Sequence, residues 1–163
     1  MIADGLNSLL KVGINKDVVT AWQKVYERCK NQPDDLFAQD MYVISTDEKC
    51  KVLFDYLNSH VTYKLDPYGV QYIKTPARLL KDGNGDCKSL TMFFACCLHC
   101  LGVPCKVRFV NFDGGTQYTH VYPVAINEWG REIVLDACEK DTNGKPKYNY
   151  ARPYARKKDL IYG

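Results

Sequence analysis

Between residues 16 and 30 apolar side chains recur at Val18, Val19, Trp22, Val25, Tyr26 and Cys29. Intervals of three and four place them on one stripe of a helix, which must pack against something. After NQPDD breaks the pattern, STDEKCKVLFDYLNSH begins with Ser45 and Glu48 in a capping-box arrangement. It then sets Cys50, Leu53, Phe54 and Leu57 on one face, predicting a second helix. VTYKL alternates like a short strand, and DPYG follows as a turn. In KTPARLLKDG, Thr75 can cap a short helix, Pro76 suits its first position and Gly83 can end it. A further helix is predicted from Cys87 to Leu101, where Leu90, Phe93, Phe94, Cys97, Leu98 and Leu101 form a stripe that Gly102 and Pro104 terminate.

The period then changes from helical to alternating. CKVRFVNF, TQYTHVYPVAI and REIVLDAC read as extended segments joined at DGG and NEWG, an antiparallel meander. Helices precede strands, so the expected fold class is α+β, a helical N-terminal part packed on an antiparallel β-sheet. Within one domain, residues 1–44 form an N-terminal helical segment and 45–138 a core. Residues 139–163 form a tyrosine-rich and basic extension with little periodicity.

Composition narrows the setting. A chain of 163 residues, 46% hydrophobic and 25% charged, suits one globular domain with a real core. No apolar run is long enough to span a membrane, and MIADGLNSLLKVG lacks the basic start and apolar stretch of a signal peptide, so a cytoplasmic, reducing location is expected. Several of the eight cysteines fall inside one apolar periodic segment, as reduced core thiols do. A net charge of +3 does not call for a nucleic-acid partner. The one local excess, KPKYNYARPYARKK, mixes aromatics and cations that can track phosphates and bases. The preferred reading is an extension that packs its tyrosines on the domain or docks on a protein assembly partner.

Three uses are open to Cys87: nucleophile, metal ligand or packed thiol. A helix N-terminus favours a thiolate through unpaired amides and the helix dipole, and Cys87 occupies that position. Gly83 and Gly85 permit tight turns that would expose the sulfur, and Lys88 would add positive potential. A nucleophilic thiol also needs a base. His99 lies on the same helix twelve residues on, about 18 Å away, and cannot serve. Nothing local fixes the distance of His60, whereas His120 sits in a strand expected to pack on the Cys87 helix. If strands 117–126 and 131–138 turn about Glu128, paired numbers sum to 256 and His120 faces Asp136. A carboxylate there would hold the imidazole's orientation and tautomer.

GNGDCKSLTMFFACCLHCLGVPCKVRFV, THVYPVAI and EIVLDAC resemble, in order, the Cys, His and Asp motifs of the transglutaminase-like superfamily, permuted relatives of papain-like cysteine proteases. The resemblance covers Val61 to Cys138. It implies thiol acyl transfer on peptide or isopeptide amides, with Cys87 as nucleophile, His120 as general base and acid, and Asp136 as orienting carboxylate. Hydrolysis is the leading outcome. Glutamine cross-linking, or a non-catalytic assembly module of a bacterial or phage system, are the alternatives. The Cys87 N–H would be one oxyanion donor. Gln71, Tyr63 and Tyr122 are candidates for oxyanion or substrate contacts; Tyr122 supplies an aromatic two positions after the histidine, where the family often has tryptophan nearer by.

No cofactor is expected. Cys96, Cys97, His99, Cys100 and Cys105 invite a zinc reading, but 96, 97, 99 and 100 point around most of a helix circumference and cannot converge tetrahedrally. No dense run of acidic oxygen ligands suggests calcium. Cys138 falls on the predicted face of Asp136, with a packed thiol the simpler reading.

Overall fold

Four short polar side chains start the helices. The computed structural model describes residues 2–3, 14–67 and 70–163, by backbone alone for 2, 3, 70 and 71. Asn15 accepts from the Val18 N–H ahead of α1 (Lys16–Cys29), and Ser45 from Glu48 ahead of α2 (Thr46–His60). Thr75 caps α3 (Pro76–Asp82) and Asp86 caps α4 (Cys87–Cys100). Each cap satisfies one of the amides that a helix start leaves without an intrahelical partner. Two 3₁₀ turns, Gln32–Leu36 and Gln39–Tyr42, connect α1 to α2.

The strands are β1 (Ile2–Ala3), β2 (Thr62–Tyr63), β3 (Val70–Gln71), β4 (Asn84–Gly85), β5 (Cys105–Asn111), β6 (His120–Ile126), β7 (Glu132–Val134) and β8 (Arg156–Tyr162). The main sheet is antiparallel in the order β7-β6-β5-β8. Its fourth strand comes from the tail, where no alternation announced it. The tail tyrosines pack as expected: Tyr148 stands 5.3 Å from Phe54 and Tyr162 4.3 Å from Tyr26 between ring centroids. Residues 1 and 4–13 of the N-terminal segment, and part of the DPYG turn, lie outside the described residues. Among the described residues no helix is long and apolar enough to cross a membrane.

Helix α4 is buried on every side, not along one stripe: all residues from Cys87 to Leu98 are buried. A helix apolar around its circumference belongs inside a protein. Trp22, Tyr26 and Cys29 of α1 pack with its Met92, Ala95 and Cys96, while Leu53, Phe54 and Leu57 of α2 and Leu79 of α3 pack with Leu90, Phe93, Phe94 and Cys97. The sheet covers the remaining side through Val107, Phe109, Val121 and Ala125. The far face of the sheet carries Arg108, buried between Glu132 on β7 (2.9 Å) and Asp159 on β8 (2.9 Å). One guanidinium thus ties both outer strands.

The hairpin register differs from expectation. Val124 pairs with Val134 and Ile126 with Glu132, so paired numbers sum to 258 and the turn centres on Trp129. β7 is also shorter than expected, and Pro123 accounts for this. The Leu135 N–H donates to the Pro123 carbonyl at 3.0 Å, but proline has no N–H to return. The ladder stops and the chain is released from the sheet at Asp136.

Candidate active site

The turn before α4 is built for close approach. Gly83 ends α3 at φ 72°, and the stretch after it pairs in parallel with β2 through Thr62 N–H to Gly83 O (2.9 Å) and Lys64 N–H to Gly85 O (2.8 Å). At Gly85 a Cβ would stand 2.7 Å from Leu79 Cδ1 and 3.0 Å from Ser89 Cβ, so packing requires glycine there. This pairing brings Tyr63 opposite Gly85, two residues ahead of Cys87. The turns do not expose the sulfur as expected: Cys87 is buried, at 7% exposure.

His120 is the first residue of β6. Its Nε2 lies 2.7 Å from Asp136 Oδ2, and the opposite Asp136 oxygen accepts the Cys138 N–H at 3.1 Å. The expected partner is therefore correct although the register is not. A slip of two residues keeps side chains on the same face, and Asp136 reaches His120 diagonally. Burial works to depress the imidazole, but the bond to Asp136 and the hydrogen bond and charge of Cys87 outweigh it and push His120 up to about 10. Cys87, His120 and Asp136 thus meet, brought from a helix start, a strand start and the residue where a ladder breaks.

The other histidines are engaged elsewhere. His60 Nδ1 lies 2.8 Å from the Tyr56 carbonyl, and His99 Nε2 3.1 Å from Asn31 Oδ1. The thiols of α4 face different neighbours. Cys96 meets Cys29 at 3.8 Å between sulfurs, Cys97 faces the α2 side, and Cys100 bonds the Lys30 carbonyl.

Tyr63 borders the trio. Burial, then the charges of Cys87, Cys138, Asp86 and Asp136, push its phenol well up, so it keeps its proton as a donor. Tyr122 is placed otherwise than expected: at 1% exposure it packs behind His120, with ring centroids 5.8 Å apart, shut away from solvent. Its hydroxyl is buried without a partner among the described residues. The side chain of Gln71 lies outside the described residues.

Sequence reasoning missed a buried charge cluster beside Cys87. The Lys88 ammonium pairs with Asp86 and lies 3.6 Å from Asp66, so its charge is largely compensated locally. Burial, with the Asp86 charge next, pushes Asp66 up to about 6. Lys88 reads from the sequence only as a source of positive potential, and Asp86 emerges as the α4 cap in the structure. Asp66 and Tyr72 also help line a cavity of about 500 Å³, which the trio does not line.

A family model described as the transglutaminase-like superfamily matches residues 35–137. The chain belongs to this superfamily. Solved structures carry the same fold. A candidate protease from Parabacteroides distasonis aligns at TM-score 0.59 and 16% identity, over 72% of this chain and 25% of that one. Calcium-bound LapG from Legionella pneumophila aligns at 0.55 and 18%, over 96% and 80%. A candidate cysteine protease from Cytophaga hutchinsonii aligns at 0.53 and 13%, over 82% and 52%. The superfamily member described here thus spans a quarter of the Parabacteroides protein and about half of the Cytophaga one. No curated protein matches the sequence.

Proposed function

We propose that this superfamily member is a cysteine-dependent hydrolase of peptide or isopeptide amides. The observation that carries the reading is the 2.7 Å contact between His120 and Asp136 on an imidazole that Cys87 also touches. Asp136 takes Nε2, so Nδ1 is the nitrogen that serves the sulfur. An imidazole that holds its proton to about pH 10 acts first as the acid. The resting site is then a thiolate–imidazolium pair, with Nε2–H donating to Asp136.

The thiolate attacks the amide carbonyl and forms a tetrahedral oxyanion. His120 gives its Nδ1 proton to the leaving amine, the C–N bond breaks and a thioester remains. Water, losing a proton to the imidazole, releases the acid and regenerates the thiolate. The Asp86 side chain caps the Lys88 N–H, and the Ser89 and Leu90 amides bond the Asp86 carbonyl. Those bonds leave the Cys87 N–H to the oxyanion, with the Tyr63 hydroxyl as second donor. Neighbours described as proteases support a protein or peptide substrate.

An electrophilic peptide probe under reducing conditions tests this reading. Labelling of wild type at Cys87, absent in Cys87→Ala, is expected. A folded wild-type protein that takes no label and cleaves no peptide would instead be a non-catalytic module.

A further inference from the structure

The proposed reaction leaves Cys138 without a role, yet the fold sets it against the reacting groups. Extended past its end at the same register, the β6–β7 ladder would set residue 138 across from His120, where Asp136 had been expected. The Cys138 sulfur, a His120 ring nitrogen and an Asp136 carboxylate oxygen lie within 4.8 Å of one another. The Cys138 amide also holds the carboxylate in place at 3.1 Å. Asp136 and His120 are buried, while Cys138 is only partly so, which leaves a way in for an ion.

Thiolate, imidazole and a single carboxylate form a donor set suited to zinc. Zinc binds sulfur at about 2.3 Å and nitrogen or oxygen at about 2.0–2.2 Å, and sites with three protein ligands keep a fourth position open. Calcium, which takes six to eight oxygens, does not fit this set. Ligand atoms on a tetrahedral zinc stand roughly 3.2–3.8 Å apart by those bond lengths, so Cys138 closes by at most about 1 Å while the 2.7 Å His120–Asp136 contact opens by about half an ångström.

We propose that Cys138, His120 and Asp136 form a zinc(II) site that ties up the imidazole serving Cys87. On binding, metal–sulfur, metal–nitrogen and metal–oxygen bonds form, and the Cys138 thiol proton and a His120 ring proton pass to solvent. The inhibition that follows rests on the catalytic reading of His120; the metal binding does not.

Cobalt(II) takes such ligands and reports thiolate ligation by a near-ultraviolet charge-transfer band. The full chain, stripped with chelator and kept in a thiol-free reductant, should take up one equivalent with that band, and zinc should displace it. Cys87→Ala should keep the band. Cys138→Ser and Cys138→Ala, checked for folding by circular dichroism, should lose it and weaken binding at least tenfold. Zinc should also slow electrophile labelling of Cys87 in wild type and not in Cys138→Ser. A wild type without the band, an undiminished band in both Cys138 variants, or its loss in Cys87→Ala would overturn the site. Cobalt bound with these signatures to a protein that cleaves nothing would keep the site and sink the hydrolase reading.

Discussion

The two ends of α4 carry the same functional group in opposite surroundings. At the first turn, Cys87 meets an imidazole, a helix N-terminus and a phenol. Near the other end, Cys97 has no exposed surface and burial pushes its thiol well up, while Cys96 finds chiefly Cys29 at 3.8 Å. Both ends are buried, so exposure does not separate them. The difference is whether a charged partner was buried alongside the sulfur. A buried anion is tolerable beside a cation and costly beside hydrocarbon.

Alkylation should show the largest contrast. In native protein at neutral pH, iodoacetamide should modify Cys87 on the order of 10⁴ times faster than Cys97, read by peptide mass spectrometry, because only a thiolate reacts. His120→Asn should erase most of that advantage. Equal rates at both ends would remove the distinction altogether.

Asp136→Asn comes next. It should lower kcat/KM by about 10²–10⁴-fold, since the imidazole loses the group that fixes its orientation and charge. By NMR, His120 should hold its proton to about pH 10 in wild type and move toward its ordinary value in the variant. Because its folded value lies above the unfolded one of about 6.5, the stability His120 contributes is complete below that pH. It is lost as pH rises toward 10, and the variant should lack that slope. An unchanged titration would mean that Cys87, not Asp136, sets the imidazole charge.

Much of this site was legible because its parts are local. Ser45, Thr75, Pro76 and Gly83 act within one turn of their own positions, and the helix boundaries follow from them. The trio was legible because parity survives a slip of two residues. The register was not, because Pro123 ends the ladder only through its pairing with Leu135, although the missing amide is visible in HVYPVAI. The tail strand was invisible for another reason. Arg156–Tyr162 is an outer strand whose charges face solvent or Arg108, so it shows no apolar alternation. Likewise, the Asp66–Lys88–Asp86 cluster joins residues across a turn that only the β2–β4 pairing creates.

Cys97→Ser sharpens the comparison from the unreactive end. A hydroxyl there is buried among Leu53, Phe54 and Phe94 of the same cluster. Stability should fall by about 1–3 kcal/mol in denaturant titration, the usual cost of an unsatisfied buried polar group, while labelling at Cys87 persists. A loss of labelling without a loss of folding would show that the two ends of the helix are coupled.

Tyr63→Phe asks whether the reactive end needs more than its charge pair. The ring packs against both core clusters that meet on α4, and phenylalanine keeps that packing while removing only the hydroxyl. If that hydroxyl donates to the oxyanion, its hydrogen bond strengthens only as charge develops, so kcat should fall about tenfold with KM nearly unchanged. A raised KM with unchanged kcat would move Tyr63 to ground-state substrate contact, and unaltered kinetics would make it packing. The backbone favours the first outcome, since pairing with Gly85 carries Tyr63 with the turn that leads into Cys87. A donor fixed to the element that holds the sulfur keeps its distance to the oxyanion when other parts of the groove adjust to substrate.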